Sequence, residues 1–123
     1  MNKTVNICGY EIEVAVNAAT LLKYKKAFHR DGFQDMMKFA RVAGGKKKED
    51  VIEIMADSDI DFDFVYRFLW VMASIAENGN KLDFEEFVEQ FEVSPITFLS
   101  EAAPIVLGSL ADNIKTTVKP KKK

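Results

Sequence analysis

Four acids at alternate positions, Asp57, Asp59, Asp61 and Asp63, are the best-spaced chemical groups in this chain. D-x-D-x-D spacing offers oxygen ligands at every second residue, as a calcium loop does. The rest of such a loop is missing. Its sixth position, where glycine makes the sharp turn, falls on Phe62 or Phe64, and its twelfth, a bidentate glutamate, on Phe68 or Trp70. Helix N-capping accounts for these acids better, with Asp59 or Asp61 expected to cap the helix that follows. His29 is the single histidine, with no carboxylate, cysteine or second histidine placed to build a site. It falls near a predicted helix C-terminus, where a cation is favourable, and a capping or solvent role is expected. Cys8 is the single cysteine, which excludes an internal disulfide framework and a multi-cysteine zinc site. Gly44-Gly45-Lys46 lacks the remainder of a phosphate-binding loop, and no serine, histidine and acid form a triad. No catalytic, cofactor or metal residue is assigned, and the expectation is a protein that is not an enzyme and works by binding.

The elements that would position any binding surface follow from periodicity. The chain has 123 residues, 48% apolar and 29% charged, the length of one ordinary domain. Residues 4–16 read as a hairpin. Val5 and Ile7 alternate before Cys8-Gly9, and Tyr10, Ile12, Val14 and Val16 alternate after it. Gly9 supplies a positive φ in the tight turn. Asn17 is expected to cap a first helix whose Leu21, Tyr24 and Phe28 share a face, ended by Asp31-Gly32. A second helix runs from Phe33 to Ala43, followed by a basic loop at 44–48 and a short helix from Glu49 to Ala56. Residues 62–76 are apolar nearly all round, with Arg67 the one charge beyond Asp63 at its start, so this helix is central. Asn78-Gly79-Asn80 stops it in a turn or left-handed cap, and Asp83-Phe84-Glu85-Glu86 reads as a capping box. Ser94-Pro95 opens a last helix to about Val118, broken or kinked near Pro104. The fold class is α+β, mostly α: a short N-terminal hairpin and a compact bundle of about five helices. Residues 1–118 form a single domain, with 119–123 a flexible lysine-rich tail.

Charge is uneven. Residues 1–48 carry +6, residues 49–101 carry −12 and residues 102–123 carry +4, for a net −2. An overall acidic balance disfavours a nucleic-acid partner, which would need Lys23, Lys25, Lys26, Lys46, Lys47 and Lys48 in one patch. The opening residues have no apolar core of a signal peptide, and no apolar run approaches the ~18–20 residues that span a bilayer. A cytoplasmic protein without a membrane partner is expected. The ten phenylalanines fall at helical core spacing. Some of Phe84, Phe87, Phe91 and Phe98, with Trp70 and the Met36/Met37 pair, are candidates for an exposed apolar patch that captures a partner helix or a second copy.

The order of these segments resembles the tail assembly chaperones of long-tailed (siphovirus-type) phages and prophages. The matching residues are the strand–turn–strand of Val5-Asn6-Ile7-Cys8-Gly9-Tyr10-Glu11-Ile12-Glu13-Val14, the helix from Ala18 to Phe28, the apolar helix from Asp61 to Ala73, and Leu82-Asp83-Phe84-Glu85-Glu86-Phe87, which is similar to the family's L-[TS]-x-E-E-[FL] segment. The similarity covers roughly residues 4–100, with Cys8 where the family's turn usually has Asn. It implies a non-enzymatic viral tail assembly function. Such a homo-oligomeric chaperone binds the tape-measure protein, and possibly the tail-tube protein, in the host cytoplasm and is not part of the mature virion. Joined to the phenylalanine stripe, the resemblance points to capture by an apolar surface that includes some of Phe84, Phe87, Phe91 and Phe98, without cofactor. The alternative is a small helical regulatory or adaptor protein acting by protein–protein, less readily nucleic-acid, binding.

Overall fold

A computed structural model describes residues 2–43 and 61–118. Within them a two-stranded antiparallel hairpin, β1 (Asn2–Ile7) and β2 (Tyr10–Ala15), precedes five helices. These are α1 (Thr20–Phe28), α2 (Gly32–Ala43), α3 (Asp63–Ile75), α4 (Phe84–Glu89) and α5 (Pro95–Val118). The α+β, mostly helical reading holds. The expected basic loop at 44–48, the helix at 49–56 and the tail at 119–123 lie outside the described residues, as do Asp57 and Asp59.

The hairpin register pairs Ile7 with Tyr10, Val5 with Ile12 and Lys3 with Val14. Both turn residues have positive φ, 54° at Cys8 and 89° at Gly9, the pair a type I′ turn requires. The strain at Cys8 is offset locally: its N–H donates to Glu101 Oε1 on α5 at 2.9 Å, and Gly9 N–H donates to Asn6 Oδ1 at 3.0 Å. A two-stranded ribbon is marginal alone, and this one lies on α3 and α5. α3 is the central element and packs against β2, α1, α2, α4 and α5. Phe64, Val65, Phe68, Leu69, Val71, Met72 and Ala73 on it are all fully buried. Around them the rings of Tyr24, Phe39, Phe64 and Phe68 pack in tilted and stacked pairs at centroid separations of 5.2–6.4 Å.

Helix ends follow short polar side chains, with shifts from the sequence expectation. α1 begins at Thr20 because Asn17 folds into a turn of its own: its Oδ1 accepts from Ala19 N–H, and its N–H donates to Thr20 Oγ1. The helix ends before Asp31-Gly32, at His29, a left-handed C-cap (φ 57°) whose N–H donates to the Lys25 carbonyl. Asp31 Oδ1 accepts from Phe33 and Gln34 N–H and starts α2 with Gly32 inside it. A Cβ on Gly32 would sit 3.0 Å from Leu21 and 3.1 Å from Tyr24, so glycine lets α2 close onto α1. α3 stops when Ala76 turns extended, without a left-handed residue. Asn80 N–H then donates to the Ala73 carbonyl, and a Cβ on Gly79 would collide with that oxygen. The capping box has both arms, Glu86 N–H to Asp83 Oδ1 and Asp83 N–H to Glu86 Oε1. Ser94 Oγ accepts from Thr97 N–H, and α5 continues through Pro104.

Truncating Phe68 or Leu69 to Ala is expected to cost about 2–5 kcal/mol, because both are fully buried on the helix that the other elements cover. Urea denaturation measures this; an unchanged midpoint contradicts a central α3.

Candidate functional site

Past Asp63 in its first turn, one charge interrupts the apolar helix α3, and it organises a polar cluster. Arg67 is buried with 9% of its surface exposed. Its Nε–H donates to Tyr24 Oη at 2.7 Å, and its Nη2 donates to Asp61 Oδ2 at 2.6 Å and lies 3.5 Å from Asp35 Oδ2. Tyr24 O–H donates onward to Asp35 Oδ2 at 2.7 Å. Arg30 completes the cluster with two bonds to Asp35, at 2.7 and 3.0 Å. Two guanidinium groups face two carboxylates across one phenol, so the cluster is neutral. No buried side-chain nitrogen or oxygen among the described residues lacks a partner. The guanidinium of Arg67 also lies over the Tyr24 and Phe28 rings, at 5.7 and 6.0 Å.

The environments move the pKa values. Burial pushes Asp35 up, but hydrogen bonds from Arg30 and Tyr24 and the charges of Arg30 and Arg67 outweigh it and hold the carboxyl below its ordinary value. Burial is the largest influence on Tyr24 and drives its phenol well above the ordinary tyrosine range. Burial lowers Arg67, and its bonds to Tyr24 and Asp61 more than restore it. These are the signatures of a locked ion cluster: Asp35, Tyr24 and Arg67 each stay in the protonation state their neighbours need. Asp61, one of the four alternating acids, does two things. Its Oδ1 accepts from Asp63 N–H at the start of α3, and its Oδ2 holds Arg67. Among the described residues no group of three or more His, Cys, Asp or Glu side chains is placed to hold a metal ion.

The four phenylalanines expected to capture a partner do not form an exposed stripe. Phe87, Phe91 and Phe98 are 1%, 7% and 3% exposed and belong to the core. Phe91 packs on Tyr10 and Phe98, and Phe98 stacks on Tyr66 at 5.0 Å. Phe84 stands apart from them, half-buried between Phe28 and Trp70. The physical reason is coverage within the chain: α4 packs on α3, and Tyr10 from the hairpin and Phe98 from α5 close over Phe91 just beyond α4. Met36 is likewise buried, and of the ten phenylalanines only Phe33 is exposed.

Among the described residues, the large apolar side chains left in solvent are Leu22, Phe33, Met37, Leu82 and Ile96. Phe33 and Met37, four residues apart, share a face of α2. Leu22 is the most exposed, at 58%, and belongs to a shallow depression of about 410 Å³ along α1, lined among the described residues by Ala19, Leu22, Lys23, Lys26 and Ala27. Sequence reasoning passed over Leu22 because Leu21, Tyr24 and Phe28 already define the inner stripe of α1. The overlooked signal was a leucine outside that stripe beside lysines.

Among the described residues no helix is long and apolar enough to cross a membrane. No protein-family model, curated protein or solved structure matches this chain.

Tyr24→Phe keeps the ring and removes the bridging hydroxyl, leaving the Arg67 Nε–H buried without its acceptor. A loss of about 1–3 kcal/mol is expected. Asp35 adds a pH dependence. Its carboxyl titrates lower folded than unfolded, so the stability it adds is complete above its unfolded value of 3.8 and fades as pH falls through the lower folded value. In denaturation series from pH 7 downward, Asp35→Asn is therefore less stable than wild type at neutrality, and the gap narrows in acid. A constant gap contradicts the cluster.

Proposed function

We propose that this chain is a tail assembly chaperone of the kind made by long-tailed phages and prophages. It binds the tape-measure protein, a long apolar helical chain, and keeps it soluble until tail-tube subunits polymerise around it in the host cytoplasm. The observation that carries this reading is the outward display of Leu22, Phe33 and Met37 on α1 and α2 by a chain whose phenylalanine-rich core is otherwise closed. Holding apolar helices needs such displayed side chains on a rigid support. The support here is the Arg67 cluster, which fastens α1 and α2 to α3. Further support comes from element order: a hairpin, a helix, a central apolar helix and a capping-box helix follow in the sequence of the family it resembles. Binding of this kind requires no covalent chemistry, and several copies along one long partner give avidity that one copy lacks.

Co-expression with the tape-measure protein encoded in the same gene cluster tests this. Soluble tape-measure protein that co-purifies with the chain is expected, and insoluble tape-measure protein despite well-folded chain contradicts the reading. The chain is also expected to self-associate: light scattering at high concentration and low salt gives a mass above 13.9 kDa, and a monomer mass there contradicts self-association.

A further inference from the structure

We infer that the outer edge of β1 is the surface through which two copies of this chain associate, an inference that rests on the self-association expected above. The hairpin register fixes which way each backbone group points. Ile7 and Tyr10 flank a two-residue turn and exchange hydrogen bonds, and the pattern repeats at Val5 with Ile12 and at Lys3 with Val14. The N–H and C=O groups of Asn2, Thr4 and Asn6 therefore point away from β2, along the outer edge of the ribbon. Among the described residues no hydrogen bond from outside the hairpin reaches the main chain of Thr4 or Asn6. β1 also lacks the usual protections of an edge. It has no proline and no bulge, and the side chains of Thr4 and Asn6 are exposed and uncharged. β2 is different. Its outward residues include Glu11 and Glu13, which repel a like strand, and the loop after α3 runs beside it, where Asn78 N–H donates to Glu13 Oε1 at 3.2 Å. Of the two edges, β1 is the one open to a further strand.

The occupant is a second copy of β1, because the edge is self-complementary. Two β1 strands laid antiparallel about a two-fold axis at Thr4 place Thr4 opposite the partner's Thr4, Asn2 opposite the partner's Asn6, and Asn6 opposite the partner's Asn2. All three facing pairs then use outward backbone groups, each pair exchanging two hydrogen bonds, and the threonines meet directly across the axis. Moving the axis to Lys3 or Val5 leaves only two such pairs, and at Lys3 it also sets two ammonium groups opposite each other. The product is an isologous pair with strand order β2-β1-β1-β2 in one sheet and the helices of both copies on the same side of it. Each copy uses up its open edge, so pairing stops at two. The contact is the edge of a six-residue strand, well short of the ~1,200 Å² at which stable interfaces begin, so the dimer is weak and forms at high concentration. In the proposed function, such pairing sets two holding surfaces along one long partner.

Sedimentation equilibrium of the full chain over a concentration series at low salt tests the edge with variants at the axis. Thr4→Lys and Thr4→Glu each set like charges opposite each other in a dimer, and each alone is expected to dimerise about fivefold or more weakly than wild type. An equimolar mixture of the two is expected to recover dimer, because lysine then faces glutamate across the axis, and the recovery shrinks as salt screens the pair. Only a residue that pairs with its own copy behaves this way. Thr4→Pro removes an outward N–H and no hairpin bond, and is expected to weaken the dimer as well. Thr4 is exposed, so thermal melts of the charged variants match wild type; they decide the question if the proline variant melts lower. A dimer of wild-type strength in Thr4→Lys and Thr4→Glu keeps self-association and overturns this edge as its surface. Weakened variants whose mixture recovers no dimer overturn the pairing at Thr4. A wild-type chain that stays monomeric at the highest concentration overturns both self-association and the edge. Tape-measure solubility is read separately: a chain that dimerises through Thr4 but leaves the tape-measure protein insoluble keeps the edge and loses the proposed function.

Discussion

Arg67 is the constraint around which the fold is arranged. A guanidinium on a helix otherwise wrapped in apolar side chains cannot leave water without partners. Tyr24 from α1, Asp35 from α2 and Asp61 from the entry to α3 supply them. Meeting one buried charge therefore sets the position of three segments at once. Apolar burial drives these helices together but tolerates sliding; hydrogen bonds of 2.6–2.7 Å to a planar guanidinium do not. Arg30 closes the account from outside, bonding the Asp35 carboxylate that already accepts from Tyr24. The consequence for function is geometric: with their inner faces tied down, α1 and α2 must present Leu22, Phe33 and Met37 outward.

The opposite side of α3 is held by different physics. There the aromatic rings of Tyr10, Tyr66, Phe87, Phe91 and Phe98 pack between the hairpin, α4 and α5. The hairpin, too small to be stable by itself, is stapled at its turn by the bond from Cys8 N–H to Glu101 and along its length by the packing of β2 on α3. Phenylalanines spent on this closure are not available to a partner, which moves the candidate binding surface from α4 and α5 to α1 and α2.

Much of the architecture was legible because it rests on local rules. Alternation in residues 4–16, the apolar run of 62–76, the capping box at Asp83 and the Ser94-Pro95 start each depend on neighbours within a few residues. The errors have local causes at the helix ends and tertiary causes elsewhere. Asn17 caps nothing directly, because it turns on itself and passes the helix start to Thr20. His29 ends α1 earlier than Asp31-Gly32 would, and Gly32 is drawn into α2 by its approach to Tyr24. Arg67 showed only as an isolated charge, since its partners lie 6 and 43 positions away for Asp61 and Tyr24. The four-phenylalanine surface failed for a related reason. A helical apolar stripe states that a face is covered, and whether by the same chain or by another is decided by elements remote in sequence.

The central claim is that this chain binds through outward faces of α1 and α2 while its aromatic core stays shut. Amide hydrogen exchange of the chain, free and saturated with its helical partner, tests it most directly. The account predicts slower exchange over residues 20–43 in the complex and unchanged exchange over 84–98. Binding that leaves 20–43 unaltered and changes exchange over 84–98 would mean that the phenylalanine core itself opens to take the partner, and would contradict the account.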